Sequence, residues 1–284
     1  MSKILACIDA SPYAMSVCDL AAWLASRSKS DIELLHVVQR KSAVATRHDY
    51  SGAIGLGVKS ELLEELTRIE EAEGKLAVQS GRALLNAAQT RIGLNTGGQI
   101  EQVHLHGGII ETILEREAEA ELVVMGKRGA SGEFATAHIG SKIERVLRAS
   151  KRPLVVVPQQ FLQPEEVVIA YDGGKSILRA LEYVASSPIF NGMPIHLIMA
   201  GEESEARRGE LERVVLTISA NGCNADWSLL PGAPDKVIAD YMASRPSSML
   251  IMGAHGHSPL RTLIVGSTTT AVIRAIHVPI LLIR

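Results

Sequence analysis

The chain has few cysteines and no long apolar run, and each shortage excludes a class of protein. Its three cysteines, Cys7, Cys18 and Cys223, are an odd number without the spacing of zinc ligands, which argues against a disulfide framework or a structural metal site. No apolar run approaches the roughly 20 residues needed to cross a bilayer, and no signal-peptide pattern is present. Free thiols are typical of a reducing compartment, so we expect a cytoplasmic protein.

Aromatic residues and excess charge are also scarce. Aromatic residues make up 4% of the 284 residues and the formal net charge is -2, which argues against nucleic-acid binding by base stacking or by a basic surface. Hydrophobic residues at 46% and charged residues at 21% are ordinary for a globular protein. The cores must therefore be built from aliphatic side chains, in one or two domains for a chain of this length.

The most informative stretch lies near the C-terminus and is rich in glycine. An apolar run ends at Gly253, Gly256 follows three positions later, and Gly266 and Ser267 open a segment to Ile276 that favours a helix. A glycine permits close approach of the backbone, and a helix N-terminus presents unpaired N–H groups and a positive dipole end. This combination suits a polyphosphate.

A second copy of the stretch occurs earlier, at Gly126, Gly129, Gly140 and Ser141. Ten residues separate its second and third glycines, where the C-terminal copy has nine. Each copy is followed by a short helical segment, a proline and an apolar strand, and both the third glycines and these prolines lie 126 positions apart. The chain is therefore an internal duplication at the scale of a domain.

This double pattern resembles the tandem form of the universal stress protein family, whose phosphate motif is G-x2-G-x9-G-[ST]. The C-terminal copy matches the motif in full, the first copy has one extra residue, and the resemblance covers nearly the whole chain. It implies an α/β protein with two doubly wound domains of the adenine nucleotide alpha-hydrolase type, each with a five-stranded parallel sheet in the order 3-2-1-4-5. We expect a first domain at 1–158, a linker at 159–164 and a shorter second domain at 165–284.

Alternating strands and helices along both halves independently favour parallel sheets with right-handed crossovers. In such sheets ligands bind at the carboxyl ends of the strands, near the switch in strand order. Only the first half has a long polar loop over 39–59, with glycines at 52, 55 and 57, followed by a helical pattern over 60–95 that Gly74 and Gly81 are expected to kink.

The resemblance and the strand ends together predict two nucleotide sites. The predicted residues are Asp9, Val37, Gly126, Arg128, Gly129, Gly140 and Ser141 in the first domain, and Asp172, Met199, Gly253, Gly256, Gly266, Ser267 and Thr268 in the second. The resemblance implies that the aspartates contact the ribose or a phosphate-bound metal, and that the backbone at Val37 and Met199 meets the adenine. Arg128 has the fork geometry that pairs with phosphate.

Simpler interpretations stand beside these. Each aspartate could form a turn, and each glycine motif could be a plain turn with a serine helix cap. His255 and His257 lack a third ligand for a metal, and Gly173-Gly174-Lys175-Ser176 is most simply a turn into a helix. No Ser-His-Asp set can be placed from the sequence, so no catalytic residues are assigned.

The leading prediction is a cytoplasmic stress-response regulator that binds ATP, with Mg as a candidate counterion, and acts through a protein partner. The alternatives are a slow ATPase or phosphotransfer enzyme, and a scaffold or a protein for a non-nucleotide ligand held under the 52–57 loop. Exposed apolar edge strands associate, and the resemblance implies that the last strands of two domains pair. We therefore expect Val155–Val157 to pair with Leu281–Ile283 within the chain, with a homodimer as a further expectation.

Overall fold

A computed structural model of the protein describes residues 2–39, 56–93, 98–129, 141–220, 222–254 and 266–284. The described side chains of the second and fourth helices begin at Glu64 and Lys142.

Within the described residues, each half of the chain contributes five strands and four α-helices. In the first half the strands are β1 Lys3–Cys7, β2 Asp31–Val38, β3 Ile100–His106, β4 Leu122–Gly126 and β5 Leu154–Val157, and the helices are α1 Ala14–Ser28, α2 Leu56–Gly93, α3 Ile109–Arg116 and α4 Ser141–Ala149. In the second half the strands are β6 Glu166–Ala170, β7 Ile195–Ala200, β8 Ala225–Leu230, β9 Ser248–Gly253 and β10 Ile280–Ile283, and the helices are α5 Lys175–Ser186, α6 Glu205–Ala220, α7 Pro234–Ala243 and α8 Ser267–Ala275.

The strands form one continuous sheet in the order β3-β2-β1-β4-β5-β10-β9-β6-β7-β8. When the strands of each half are numbered 1 to 5 along the chain, their order from the outer edge of the sheet to the junction is the predicted 3-2-1-4-5. All neighbours within a half are parallel. The halves meet where β5 pairs antiparallel with β10, and Val155 lies opposite Leu281. This confirms the predicted pairing of the last strands within one chain.

The core lies on both faces of this sheet because the central strands are apolar on both sides. Ile4, Leu5 and Ala6 of β1 are all fully buried although their side chains alternate between the two faces. One buried cluster lies beneath α1, α2, α5 and α6, and the other beneath α3, α4, α7 and α8. Both clusters contain residues from both halves, so the core continues across the β5–β10 junction.

Helix α2 differs from its prediction at both the start and the middle. It begins at Leu56, so residues 56–59 are helical rather than part of a loop, while residues 40–55 lie outside the described part of the chain. The helix also runs uninterrupted through Gly74 and Gly81. Gly81 has a packing role, because a Cβ there would lie 2.5 Å from His104 Nε2 and 2.7 Å from His36 Cδ2.

A buried carboxylate ties the sheet to α3. Glu33 of β2 is fully buried and accepts hydrogen bonds from Arg116 Nε at 2.6 Å and from Lys3 Nζ at 3.0 Å. Burial opposes ionisation of Glu33, but the hydrogen bonds and charges of Arg116 and Lys3 outweigh it and lower the pKa of this carboxyl. Removing either cation would therefore leave a buried carboxylate with incomplete pairing, which is costly.

Replacing Arg116 by methionine should reduce the free energy of unfolding by on the order of 3 kcal/mol at pH 7, because it leaves Glu33 buried with incomplete pairing. Urea denaturation measures the change. The matched control is Arg145→Met, whose ion pair with Glu111 is exposed on both sides and should cost less than about 1 kcal/mol.

The difference between wild type and Arg116→Met should shrink at acid pH. The stability that Glu33 gains from its lowered pKa is present above its ordinary value of 4.5 and is lost as the pH falls through the folded-state value. Equal losses for Arg116→Met and Arg145→Met, or a difference that does not change with pH, would contradict this assignment.

Candidate functional site

The carboxyl ends of β1, β2 and β4 border a cavity of about 450 Å³ that α2 covers from one side. Five of the residues predicted for the first domain line it: Asp9, Val37, Gly126, Arg128 and Gly129. β1 and β4 are the neighbours between which the strand order reverses, so the cavity lies at the switch point of this half of the sheet.

The aspartates that follow β1 and β6 each form a turn, and Asp9 also faces the first glycine loop. Asp9 Oδ1 accepts a hydrogen bond from the N–H of Ser11 at 3.1 Å, and Asp172 Oδ1 accepts one from the N–H of Gly174 at 2.9 Å. The turn interpretation is thus correct for one oxygen of each aspartate. The other oxygen of Asp9 faces the glycine loop, because a Cβ on Gly129 would lie 2.9 Å from Oδ2.

The first glycine of each motif is required by packing. A Cβ on Gly126 would lie 2.5 Å from Cβ of Tyr13, and a Cβ on Gly253 would lie 3.0 Å from Cβ of Ser176. Tyr13 and Ser176 occupy equivalent places, four residues after the aspartates, beside the starts of α1 and α5. These glycines therefore let the first helix of each half approach the end of its fourth strand.

A lysine completes the polar side of the cavity and was missed in the sequence. Lys142, the second residue of α4, lines the cavity, and its Nζ lies 4.0 Å from where a Cβ on Gly129 would be. An ammonium group beside a helix N-terminus adds its charge to the helix dipole. The signal available in the sequence was its place directly after Ser141, which corresponds to that of Thr268 in the second half.

The apolar side of the cavity comes from α2, which the sequence did not assign to the site. Ala77, Ser80, Gly81 and Leu84 line the cavity from above. His36 lines it from β2, and its ring Nδ1 lies 2.9 Å from the carbonyl oxygen of Ile8. The long helix is thus the described element that covers this cavity, while residues 52–55 of the predicted loop lie outside the described part of the chain.

Strand register changes one member of the predicted set. Cys7 lies opposite Leu35 in the first half and Ala170 lies opposite Ile198 in the second, so the residue equivalent to Val37 is Ala200 rather than Met199. Met199 is buried in the cluster beneath α5 and α6, whereas Val37 belongs to the other cluster. Val37 and Met199 each lie one residue before the end of their strand, so the equivalence with Ala200 follows only from the pairing with β1 and β6.

In the second domain the structure describes part of the predicted motif. Helix α8 begins at Ser267 with Gly266 as its cap residue, which has no side chain to satisfy the first N–H groups of the helix. Ser267 is exposed, Thr268 is half-buried, and Thr269 donates to the carbonyl of Gly253 at 3.5 Å. Gly140, Gly256, His255, His257 and the side chain of Ser141 lie outside the described residues.

In the second domain an acidic residue lies near the end of β6. The hydroxyl of Tyr171, which precedes Asp172, donates to Glu210 of α6 at 2.8 Å, and burial together with Glu210 raises the pKa of that hydroxyl. Ile8 stands at the equivalent place in the first domain. The two halves therefore present different electrostatic surroundings at the ends of their first strands.

A Ser-His-Asp arrangement is present on β7 and β8. His196 Nδ1 contacts Asp226 Oδ1, and His196 Nε2 lies 3.0 Å from Ser228 Oγ. The Asp226 side chain is 74% exposed, so it does not supply the buried, fixed carboxylate that orients the histidine of a catalytic triad. Cross-strand pairing of His196 with Asp226 accounts for the arrangement.

Among the described residues, no group of three or more histidine, cysteine, aspartate or glutamate side chains is placed to hold a metal ion. In the same part of the chain, every helix is too short or too polar to span a bilayer.

Comparison with known proteins gives consistent matches over the whole chain. The model of the universal stress protein family matches residues 1–158 and 165–284. The chain is 32% identical over 290 residues to universal stress protein Slr1230 of Synechocystis sp., covering 100% of both proteins, and 22% identical to universal stress protein Rv1996 of Mycobacterium tuberculosis, covering 78% of this chain and 80% of the relative. The crystal structure of a universal stress protein from Archaeoglobus fulgidus has the same fold, with a TM-score of 0.72 and 21% identity over 99% of this chain and 96% of that one.

Substituting alanine for Gly126 should destabilise the fold by about 1–3 kcal/mol, because the new Cβ must displace Tyr13 or the strand end in a closely packed place. The control is Gly74→Ala on α2, where a Cβ meets nothing within 4 Å and should stabilise the helix by up to about 1 kcal/mol. Thermal unfolding of the two variants measures both changes. Equal effects would show that Gly126 is a turn glycine without a packing role.

Proposed function

This chain belongs to the universal stress protein family, and from that premise we propose that it binds adenine nucleotide, with ATP as the ligand of the first domain. The observation that carries the proposal is the cavity at the switch point, where five residues predicted from the sequence meet Lys142. Its volume of about 450 Å³ is within the range of roughly 300–1,000 Å³ that small-molecule sites have.

The two sides of the cavity match the two ends of a nucleotide. Arg128, Lys142 and the N-terminus of α4 would hold the phosphates, since they bring positive charge and helix N–H groups to one side. Val37 and Leu84 give the cavity an apolar lining, which would suit the base. Gly129 would allow the phosphates close to the backbone because it carries no Cβ.

Asp9 gives a reason to include Mg with the nucleotide. Its carboxylate lines the same cavity as Arg128 and Lys142, so it would repel the phosphates directly. Mg²⁺ is commonly held by one or two carboxylates together with phosphate oxygens, and it would convert this repulsion into a bridge. We therefore assign Asp9 to the metal side of a bound Mg–ATP.

For the second domain we propose a second nucleotide site at Asp172, Gly253, Gly256, Gly266, Ser267 and Thr268, with Ala200 in the place of Val37. Glu210 adds a second carboxylate near the end of β6.

The proposed biological role is that of a cytoplasmic stress-response regulator whose nucleotide-bound state is recognised by a protein partner. Helix α2 covers the cavity with its C-terminal half, while residues 64–76 of the same helix are exposed and include Leu66, Ile69 and Leu76. A ligand that contacts α2 in only one position would favour that position. The exposed half of the helix is then the surface through which a partner would distinguish the bound state.

Lys142→Ala should weaken ATP binding at the first site by tenfold or more, since a charged hydrogen bond contributes roughly 1.5–3 kcal/mol. Isothermal titration calorimetry with ATP and Mg measures the affinity, and Lys151→Ala is the control because Lys151 is an exposed lysine just beyond α4. An unchanged affinity in Lys142→Ala would contradict the assignment of the first site.

The same samples separate the alternative functions. Steady release of phosphate from ATP that is lost in Asp9→Asn would indicate a slow ATPase. Absence of ATP binding, together with an apolar metabolite bound to the purified protein, would favour the non-nucleotide ligand predicted under the 52–57 loop.

A further inference from the structure

A buried lysine of the first glycine loop reaches into the second domain. Lys127 stands between Gly126 and Arg128, both of which line the cavity, yet only 7% of Lys127 is exposed. Its Nζ donates to the carbonyl oxygens of Arg274 at 2.7 Å and Ile276 at 2.9 Å. These carbonyls lie at the C-terminal end of α8, so the lysine caps a helix of the other domain.

The backbone explains why neighbouring residues point to different domains. Gly126 ends β4, and the N–H of Lys127 donates to the carbonyl of Val157 at 2.8 Å, which continues the pairing of β4 with β5. Side chains on an extended chain alternate between opposite sides. Arg128 therefore faces the cavity while Lys127 faces α8 across the junction.

The fold does not require a cation in this place. Ala254, the equivalent residue after β9, is fully buried and makes the same backbone hydrogen bond, from its N–H to the carbonyl of Ile283 at 2.8 Å. Burial and the nearby Arg128 lower the pKa of Lys127 to about 8, so holding its ammonium here has a cost. The compensation is contact with the last carbonyls of α8, which otherwise lack helical partners and favour a positive charge.

Helix α8 connects this contact to the second glycine motif. It has nine residues, which makes it about 13 Å long, and it begins at the Gly266–Thr268 segment proposed to hold phosphate. The corresponding end of α4 is held differently, because Arg284 donates to the carbonyls of Arg148 and Ser150 from beyond β10. The first glycine loop thus contacts α8 of the second domain directly, through Lys127. The equivalent contact to α4 comes from Arg284, which follows β10 and is not part of the second glycine loop.

We propose that Lys127 is a positioning residue that couples the two nucleotide sites, so that a nucleotide in the first site raises the affinity of the second. Ligand phosphates at Gly126–Gly129 fix the loop, the loop fixes Lys127, and Lys127 holds α8 with its N-terminus in place for the second anion. This inference rests on the proposed nucleotide binding. Thermodynamic linkage requires that the second site favour binding at the first by the same factor.

The direct test blocks the second site and follows α8. Thr268→Glu places a carboxylate where phosphate would bind, while an acidic residue in the first turn of a helix remains favourable to folding. Hydrogen–deuterium exchange of the amides of residues 270–276 is measured with and without Mg–ATP. We expect ATP at the first site to slow this exchange in Thr268→Glu, and not to slow it in Thr268→Glu combined with Lys127→Met.

Lys127→Arg distinguishes coupling from a merely structural role. It keeps a cation at the carbonyls and should retain part of the ATP-dependent change. A lysine that only supports the fold would alter α8 exchange equally with and without ATP. That result overturns the proposal, and the arginine variant keeps the test available if Lys127→Met fails to fold.

Affinities give an independent measure. Filling of the first site should tighten the second by roughly fivefold or more, as seen by calorimetry when wild type is compared with Lys142→Glu, in which the first site is blocked. In Lys127→Met the affinity of the second site for ATP should be the same whether or not Lys142→Glu also blocks the first site. ATP binding without any change in α8 exchange overturns the coupling and leaves the proposed function standing, whereas no heat of ATP binding in any variant overturns both.

Discussion

The architecture depends on one short antiparallel contact, the pairing of β5 with β10. Each strand has four residues, all apolar and buried, and each would be an exposed edge if its half of the chain stood alone. Pairing them removes both edges and merges two five-stranded sheets into one of ten strands. The same contact extends both apolar clusters across the junction, so the halves share their cores.

That junction also determines what lies between the two proposed sites. β4 and β9 flank the central pair, and the glycine loops follow directly from their carboxyl ends. Lys127 and Arg284 each donate across the junction to the last turn of a helix in the other half. Lys127 therefore links the first glycine loop by hydrogen bonds to the C-terminal end of α8.

Much of the fold was predictable from the sequence because its signals are local. Apolar runs ending in Asp9, Gly126 or Gly253 identify buried strands and their carboxyl ends, and the 126-residue offset reveals the duplication. The strand order came from resemblance to a family, since periodicity does not say which strands are neighbours.

The missed features depend on contacts between residues distant in sequence. The helical pattern of α2 does not show where the helix crosses the sheet, so the sequence does not identify the side chains of α2 that border the cavity. The role of Lys127 could not be predicted from the glycine motif, since its hydrogen-bond partners lie 147 and 149 positions away in the sequence. The composition of the strand predicts Met199, whereas the pairing of β7 with β6 makes Ala200 the equivalent of Val37.

The measurement that most directly tests the account is the nucleotide content of the protein purified without added nucleotide. The protein is denatured, and the released small molecules are identified by mass spectrometry and counted per chain. The account predicts ATP or a related adenine nucleotide at one per chain if only the first site retains it and at two if both do. A protein that releases none, and that shows no heat of binding with ATP and Mg, would contradict the assignment of the cavity between β1 and β4 as a nucleotide site.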